Sequence, residues 1–191
     1  MNAEAFAKAF SGTMKNEKGY SSNPNDRGLE TYMGISRVFW PSCPVWEFVD
    51  ACKNKEINAL QRDVACAEHV RTFYRVQFWD RIQGDAVADL SVDVACELFD
   101  TAVNMGTHRA VQFLQEALNM QNKYAATYPD IPVDGQLGKG TISTLKRYLS
   151  YGPGSKEDNE QILLNCMNGE QYIAYKKNSQ HELFRGWFRR V

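Results

Sequence analysis

Residues 91–119 read SVDVACELFDTAVNMGTHRAVQFLQEALN, and this run decides the fold class. Val94, Ala95, Leu98, Phe99, Ala102 and Val103 recur at the spacing of one helix face. Ser91 stands where a side-chain oxygen can cap the first free N–H groups, and Gly106 where a helix ends. Thr107 is placed to cap a second helix, with Ala110, Val111, Leu114, Ala117 and Leu118 facing inward. Two helices meeting at a glycine predict an αα corner.

Outward from this corner the chain keeps to helical spacing. Phe6, Phe10 and Met14 predict an opening helix that ends near Glu17, before Gly19. Helical reading resumes near Val45, and Val70, Tyr74, Phe78 and Ile82 form a ridge at steps of four, with Phe73 beside it. Residues 119–138 are polar and loop-like. A short helix is expected over Thr141–Tyr151, a break at the GPGS of 152–155, and a closing helix from about Glu157 to Lys177 with Ile162, Cys166 and Ile173 inward. Strand signals are weak. The expected fold is mainly α, with at most a small irregular hairpin after the first helix. Its two segments would be 1–90 and 91–191, packed into one compact unit.

Composition narrows the function classes. The 191 residues are 43% hydrophobic and 24% charged, ordinary for a globular chain, and 22 Lys+Arg balance 23 Asp+Glu. That balance argues against a nucleic-acid binder, whose affinity comes from clustered cations facing phosphates. A helix-turn-helix reading of 91–119 fails because the second helix offers only His108 and Arg109 as cations and also carries Glu116. Cys43, Cys52, Cys66, Cys96 and Cys166 show no CxxC pair and are expected to be reduced, buried, small apolar residues. His69, His108 and His181 form no ligand pair, so neither a metal nor a cofactor is expected. No stretch approaches a membrane span and the N-terminus lacks the pattern of a standard signal peptide. Synthesis in the cytoplasm, no stable membrane insertion and a monomer are expected.

Chemistry concentrates where the helical pattern stops. From Gly19 to Gly34 the chain reads GYSSNPNDRGLETYMG, rich in turn formers, with a hairpin expected around Asn25 to Gly28. A carboxylate at a helix C-terminus, Glu17, sits near the negative end of the helix dipole, which favours its protonated form. A solvated carboxylate on the following loop, Asp26, would stay ionised. Two carboxyls in unlike environments across a cleft suit glycosidic bond cleavage. The plainer reading is a solvated Glu17 and an Asp26 that caps the turn at Arg27-Gly28.

The runs Glu17-Lys18-Gly19-Tyr20, Asn23-Pro24-Asn25-Asp26-Arg27-Gly28 and Glu30-Thr31-Tyr32-Met33-Gly34-Ile35 resemble the signature of glycoside hydrolase family 108. That family holds lysozyme-like N-acetylmuramidases, found as phage endolysins and as bacterial secretion activator proteins. The resemblance continues through Phe73-Tyr74-Arg75, Phe78-Trp79-Asp80, Phe99-Asp100, Ala102 to Gly106, Ala110, Leu114-Gln115, Asp134-Gly135, Gly138 and Gly186-Trp187. It implies that Glu17 is the catalytic acid and that the later half is a peptidoglycan-binding segment. The chain departs from the pattern at Lys18 and Leu29, where glycines are usual, and at Tyr32, where an Asn is usual. Lys18 beside Glu17 could lower its pKa, and Leu29 restricts the backbone at one loop position.

The implied reaction is hydrolysis of the β-1,4 link between N-acetylmuramic acid and N-acetylglucosamine. Glu17 would protonate the glycosidic oxygen, Asp26 would orient or deprotonate water, and Thr31 would hold that water, by analogy with phage-type lysozymes. Tyr20, Glu30, Tyr32, Tyr74, Trp79 and Asn104 are candidate substrate-binding residues. Against this, Tyr74 and Trp79 lie at helix positions where core packing is the simpler expectation, Asn104 can serve backbone near a helix end, and Glu30 and Thr31 can brace the loop. Asp134-Gly135 marks a turn, and Arg185, Arg189 and Arg190 a solvated tail. The partner expected is peptidoglycan, reached in the periplasm after release from the cytoplasm. The rival function is a peptidoglycan-binding module without turnover.

Overall fold

The computed structural model describes residues 3–15, 19–22, 28–52 and 57–177. Glu17, Lys18, Asp26, His181, Arg185, Gly186, Trp187, Arg189 and Arg190 lie outside the described residues. The fold is mainly α: eight α-helices and one small three-stranded antiparallel sheet are present among the described residues. The chain divides into two compact units, one formed by residues 1–9 with 78–191 and the other by residues 10–77. These units and the segments 1–90 and 91–191 divide the chain differently, because the first helix contributes its opening turns to the later unit.

The larger unit is built on the corner. Helix α5 (Val92–Met105) and helix α6 (Thr107–Met120) meet at Gly106, whose φ of 87° reverses the chain direction. Ser91 Oγ accepts the Val94 N–H at 2.9 Å, as its sequence position predicts. Thr107 is the first helical residue rather than the cap; the Gly106 carbonyl accepts the Ala110 N–H, so one residue closes α5 and opens α6. The apolar faces of both helices are buried, Val103 only in part. Helix α4 (Gly84–Ala88) packs on α5, while helix α7 (Lys139–Tyr151) and helix α8 (Lys156–Lys177) close over α6.

Helix α8 corrects its expected face. Its buried row is Asn159, Leu163, Met167, Gln171 and Tyr175, while Ile162 and Ile173 are exposed and Cys166 is half-buried. Two of the five inward positions are amides with dedicated partners. Asn159 Oδ1 accepts the Gly154 N–H and its Nδ2 donates to the Tyr148 and Gly154 carbonyls, so it ties the GPGS break to both flanking helices. Gln115 does similar work for the loop after α6. Its Nε2 donates to Asp134 Oδ1 and the Gln136 carbonyl, and its Oε1 accepts the Gly135 N–H. Gly135, at φ 66°, makes the turn its sequence suggests, and a Cβ there would lie 2.3 Å from the His108 ring.

In the first helix α1 (Ala3–Met14) the buried face is Ala5, Phe6, Ala9 and Thr13, with Phe10 and Met14 at its flank. The ridge 70–82 also shifts. Helix α3 (Val64–Tyr74) runs into a π-helical turn over Arg75–Trp79. That turn lengthens one step of the buried row from four residues to five, so Val70 and Tyr74 are followed by Trp79 rather than Phe78. Trp79 packs against Phe6 (5.4 Å between centroids) and Phe99 (5.8 Å), and donates its indole N–H to Asp85 at 3.0 Å. Gly84 lies against the indole so closely that a Cβ would come within 2.3 Å of it.

The smaller unit holds helix α2 (Val45–Ala51), the 3-10 turn Ile57–Arg62, α3 and the sheet. All five cysteine thiols are free, but only Cys66 is buried; Cys43, Cys52, Cys96 and Cys166 are half-buried.

Candidate active site

The polar stretch after α1 holds more regular structure than a hairpin. Strand β1 (Tyr20–Ser22) pairs antiparallel with β2 (Glu30–Tyr32), which pairs with β3 (Ile35–Ser36). The register sets Tyr20 opposite Tyr32, Ser21 opposite Thr31, and Thr31 opposite Ser36. The β2–β3 connection is Met33-Gly34, both at positive φ (47° and 77°), as a two-residue hairpin that follows strand twist requires. Three bonds hold it: Met33 N–H donates to the Gly19 carbonyl, Tyr74 Oη donates to the Met33 carbonyl at 2.8 Å, and Ser36 Oγ donates to the Gly28 carbonyl.

Side chains alternate across this sheet. Tyr20, Glu30 and Tyr32 share one face. Tyr32 turns into the core, 1% exposed and hydrogen-bonded to Cys66, and burial raises its hydroxyl pKa well above the usual tyrosine range. Glu30 is held from both sides: Tyr20 Oη donates to its Oε1 at 3.1 Å and Arg37 Nη1 to its Oε2 at 2.8 Å. Arg37 also grips Asp50 on α2 through both terminal nitrogens, and its guanidinium lies 5.0 Å over the Trp46 ring. These contacts raise the Arg37 pKa further above its ordinary value, Asp50 contributing most. Glu30 is therefore a structural brace that locks β2 to α2. Thr31 faces the other way, half-buried, between an exposed Ser21 and a buried Ser36.

The remaining candidates separate. Tyr74 is 1% exposed and Trp79 fully buried, so neither ring offers a face on which a sugar could stack; both are core residues, as is Tyr32. Their expected platform role is corrected by burial. Asn104 is half-buried on α5, its amide 3.4 Å from Asp100 Oδ2. The structure thus groups Tyr20, Glu30, Thr31, Tyr32 and Tyr74 around the sheet of the smaller unit, and puts Trp79 and Asn104 in the other unit.

Sequence reasoning missed Arg37, Asp50 and Trp46, which share no periodic signal with Glu30. It also missed a cavity of about 490 Å³ in the smaller unit, where Phe39, Trp40 and Phe73 stand beside Ser42, His69 and Gln77. Trp40 meets Phe73 edge to face at 5.0 Å, and Phe39 is largely exposed. The FW pair at 39–40 was its visible sign. Apolar ring faces next to hydroxyl, imidazole and amide groups suit a ligand that is itself amphipathic, as a pyranose is. Among the described residues no group of three His, Cys, Asp or Glu could hold a metal ion, and no helix is long and apolar enough to cross a membrane.

Residues 10–106 match the family described as Glycosyl hydrolase 108, a span that includes the whole sheet and both candidate carboxyls. The chain belongs to the glycosyl hydrolase 108 family. Residues 109–191 match a second family, described as Predicted Peptidoglycan domain, so this glycosyl hydrolase carries a peptidoglycan-binding segment after its catalytic one. A solved structure entitled "Structure of Brucella abortus SagA" is similar to it with a TM-score of 0.62 over 98% of this chain and 89% of that one, at 21% identity, a likeness of fold. No curated protein sequence matches the chain. As a family 108 member the protein is a glycoside hydrolase directed at peptidoglycan.

Proposed function

We propose that the protein is an N-acetylmuramidase that cleaves the β-1,4 bond between N-acetylmuramic acid and N-acetylglucosamine, with Glu17 as the general acid. The observation that carries this reading is the family match over 10–106, within which Glu17 opens the motif that leads directly into the sheet. Glu17 would donate its proton to the departing glycosidic oxygen while positive charge builds on the sugar ring. Asp26, on the β1–β2 connection, would activate the water, and Thr31 on β2 would help to hold it. The brace from Glu30 through Arg37 to Asp50 supports this role for β2, because a strand fixed at that point presents Thr31 with little freedom. Leu29, where the family usually has glycine, takes the left-handed backbone (φ 48°) that glycine adopts without strain. The protein would be made in the cytoplasm and act on the cell wall after release.

The test is digestion of purified peptidoglycan by the wild type and Glu17→Gln, followed by borohydride reduction and mass spectrometry of the new ends. Reduced N-acetylmuramic acid from the wild type and none from a folded Glu17→Gln variant is the expected result. A wild type that binds the polymer yet releases no new ends overturns it in favour of a binding module.

A further inference from the structure

Helix α7 carries two faces of opposite character. Thr141, Thr144, Leu145, Tyr148 and Leu149 are buried. On the other side Ser143, Lys146, Arg147, Ser150 and Tyr151 share one face through spacings of three and four residues (143, 146, 150 and 143, 147, 151), all exposed. This second face is not merely solvated surface. Together with Ala126 and Thr127 it walls a cavity of about 700 Å³, within the range of sites that hold small molecules.

The loop that supplies Ala126 and Thr127 begins with an unusual piece of backbone. Lys123, Tyr124 and Ala125 take φ of 54°, 57° and 63°, three successive side-chain-bearing residues in the left-handed region. L-residues avoid that region because Cβ crowds the carbonyl oxygen, and such strain persists only where surrounding bonds over-determine it. Here they do. Asn122 is buried, its Oδ1 accepts the Ala125 N–H at 3.1 Å, its carbonyl accepts the Thr127 N–H, and its amide donates to Asp130. Tyr128 is buried beside it, with its hydroxyl on the Leu118 carbonyl at 2.7 Å. These bonds hold the loop that carries Ala126 and Thr127 in place, which spares a ligand the entropy of ordering it.

The cavity's chemistry is one-sided. Lys146 and Arg147 are adjacent cations, no carboxylate stands among its described lining residues, and Ser143, Ser150 and Thr127 add hydroxyls. Tyr151, 78% exposed, adds a flat ring at the rim. Guanidinium and ammonium groups select carboxylates, and hydroxyls suit peptide amides. All of these residues lie inside the span matched to the peptidoglycan domain. In peptidoglycan the lactyl carboxyl is taken up in the amide to the stem, so stem-bearing sugars are uncharged and the free carboxylates are carried by the peptide stems.

We propose that this cavity binds the carboxylate-bearing peptide stem of peptidoglycan, so that the protein prefers peptide-substituted glycan to bare glycan. This rests on the muramidase reading for its substrate, but none of the cavity's lining residues is a candidate catalytic residue, so it can be tested without turnover.

The experiment measures binding by calorimetry with the full chain carrying Glu17→Gln. The two probes are a disaccharide tetrapeptide and the same disaccharide without its peptide, which keeps the lactyl carboxylate. The stem-bearing probe should bind at least 10-fold more tightly, and Lys146→Gln with Arg147→Gln should abolish that difference. Ser143→Trp, which fills the cavity and leaves the charges in place, should do the same. Equal affinity for the two probes, or unchanged affinity in the double variant, overturns the proposal. Cleavage is scored apart, on stem-bearing and on peptide-free glycan with Glu17 intact. A wild type that binds stems but cuts neither substrate counts against the muramidase reading and leaves the stem site standing.

Discussion

The Gln171 amide on α8 donates to the Glu97 carboxylate on α5 across 74 residues of sequence. Thr101 adds a second hydrogen bond to the same oxygen. Both bonds favour the ionised form, yet burial outweighs them and, with Asp100 nearby, raises the Glu97 pKa to about 7. A carboxyl whose folded pKa is raised stabilises the fold most when protonated. Its contribution is complete below about pH 4.5, declines as pH rises through 7, and is then gone. Urea denaturation at pH 5 and pH 8 should show the wild type losing about 2 kcal/mol across that interval from this group. Glu97→Gln, which keeps an acceptor for Gln171, should flatten the dependence; an unchanged slope would place the titration elsewhere.

Leu29 spends conformational energy that a glycine would not. Its φ is 48° and its side chain is about half exposed, so little packing compensates. Leu29→Gly should stabilise the protein by roughly 0.5–1 kcal/mol, the relief of the left-handed backbone less the extra freedom of glycine when unfolded. Leu29→Val should destabilise it, since β-branching worsens the same conformation. Thermal melting of the three proteins gives the order directly.

Gly84→Ala should be among the most damaging single-methyl additions. The new Cβ would meet ring carbons of a fully buried Trp79, which has Phe6 and Phe99 at its other sides. Overpacking of this kind costs about 1–3 kcal/mol. The near-ultraviolet circular dichroism of the indole should weaken together with the melting temperature. A native spectrum would mean that Trp79 can give way.

Arg37→Lys retains the charge and loses the fork. Lysine cannot hold Glu30 and Asp50 at once or lie flat over Trp46 as the guanidinium does. With β2 no longer tied to α2, cleavage of peptidoglycan should fall several-fold through kcat, with far-ultraviolet circular dichroism unchanged. Wild-type turnover in this variant would show that Thr31 needs no such support.

The corner of α5 and α6 was legible because its signals agree: an apolar stripe at helical spacing, a serine at the start and a glycine at the end. Helix α8 was not, because its core row includes Asn159 and Gln171 while Ile162 and Ile173 face solvent. Hydropathy cannot see an amide that is buried for its hydrogen bonds. The motif after α1 was visible as chemistry and as the place of a small hairpin but not as three strands, since strands of two and three residues give no periodicity. Tyr32, Tyr74 and Trp79 read equally well as sugar platforms or as core, and only burial separates the two. Arg37 could not be linked to Glu30 and Asp50 in sequence, for long charged side chains choose partners by the fold around them.

The π-helical turn at Arg75–Trp79 makes the position of an indole a matter of counting. A continuous α-helix advances about 100° per residue, and this turn carries one residue more than such a helix would use. Exchanging Val76 or Gln77 for another amino acid leaves that count intact. In-frame loss of one codon there would return the step from Tyr74 to the indole to the four residues of a regular helix and keep Trp79 in the buried row, whereas gain of one would turn the indole away by about 100°. The stretch therefore tolerates changes of spelling, and shortening by one, far better than lengthening.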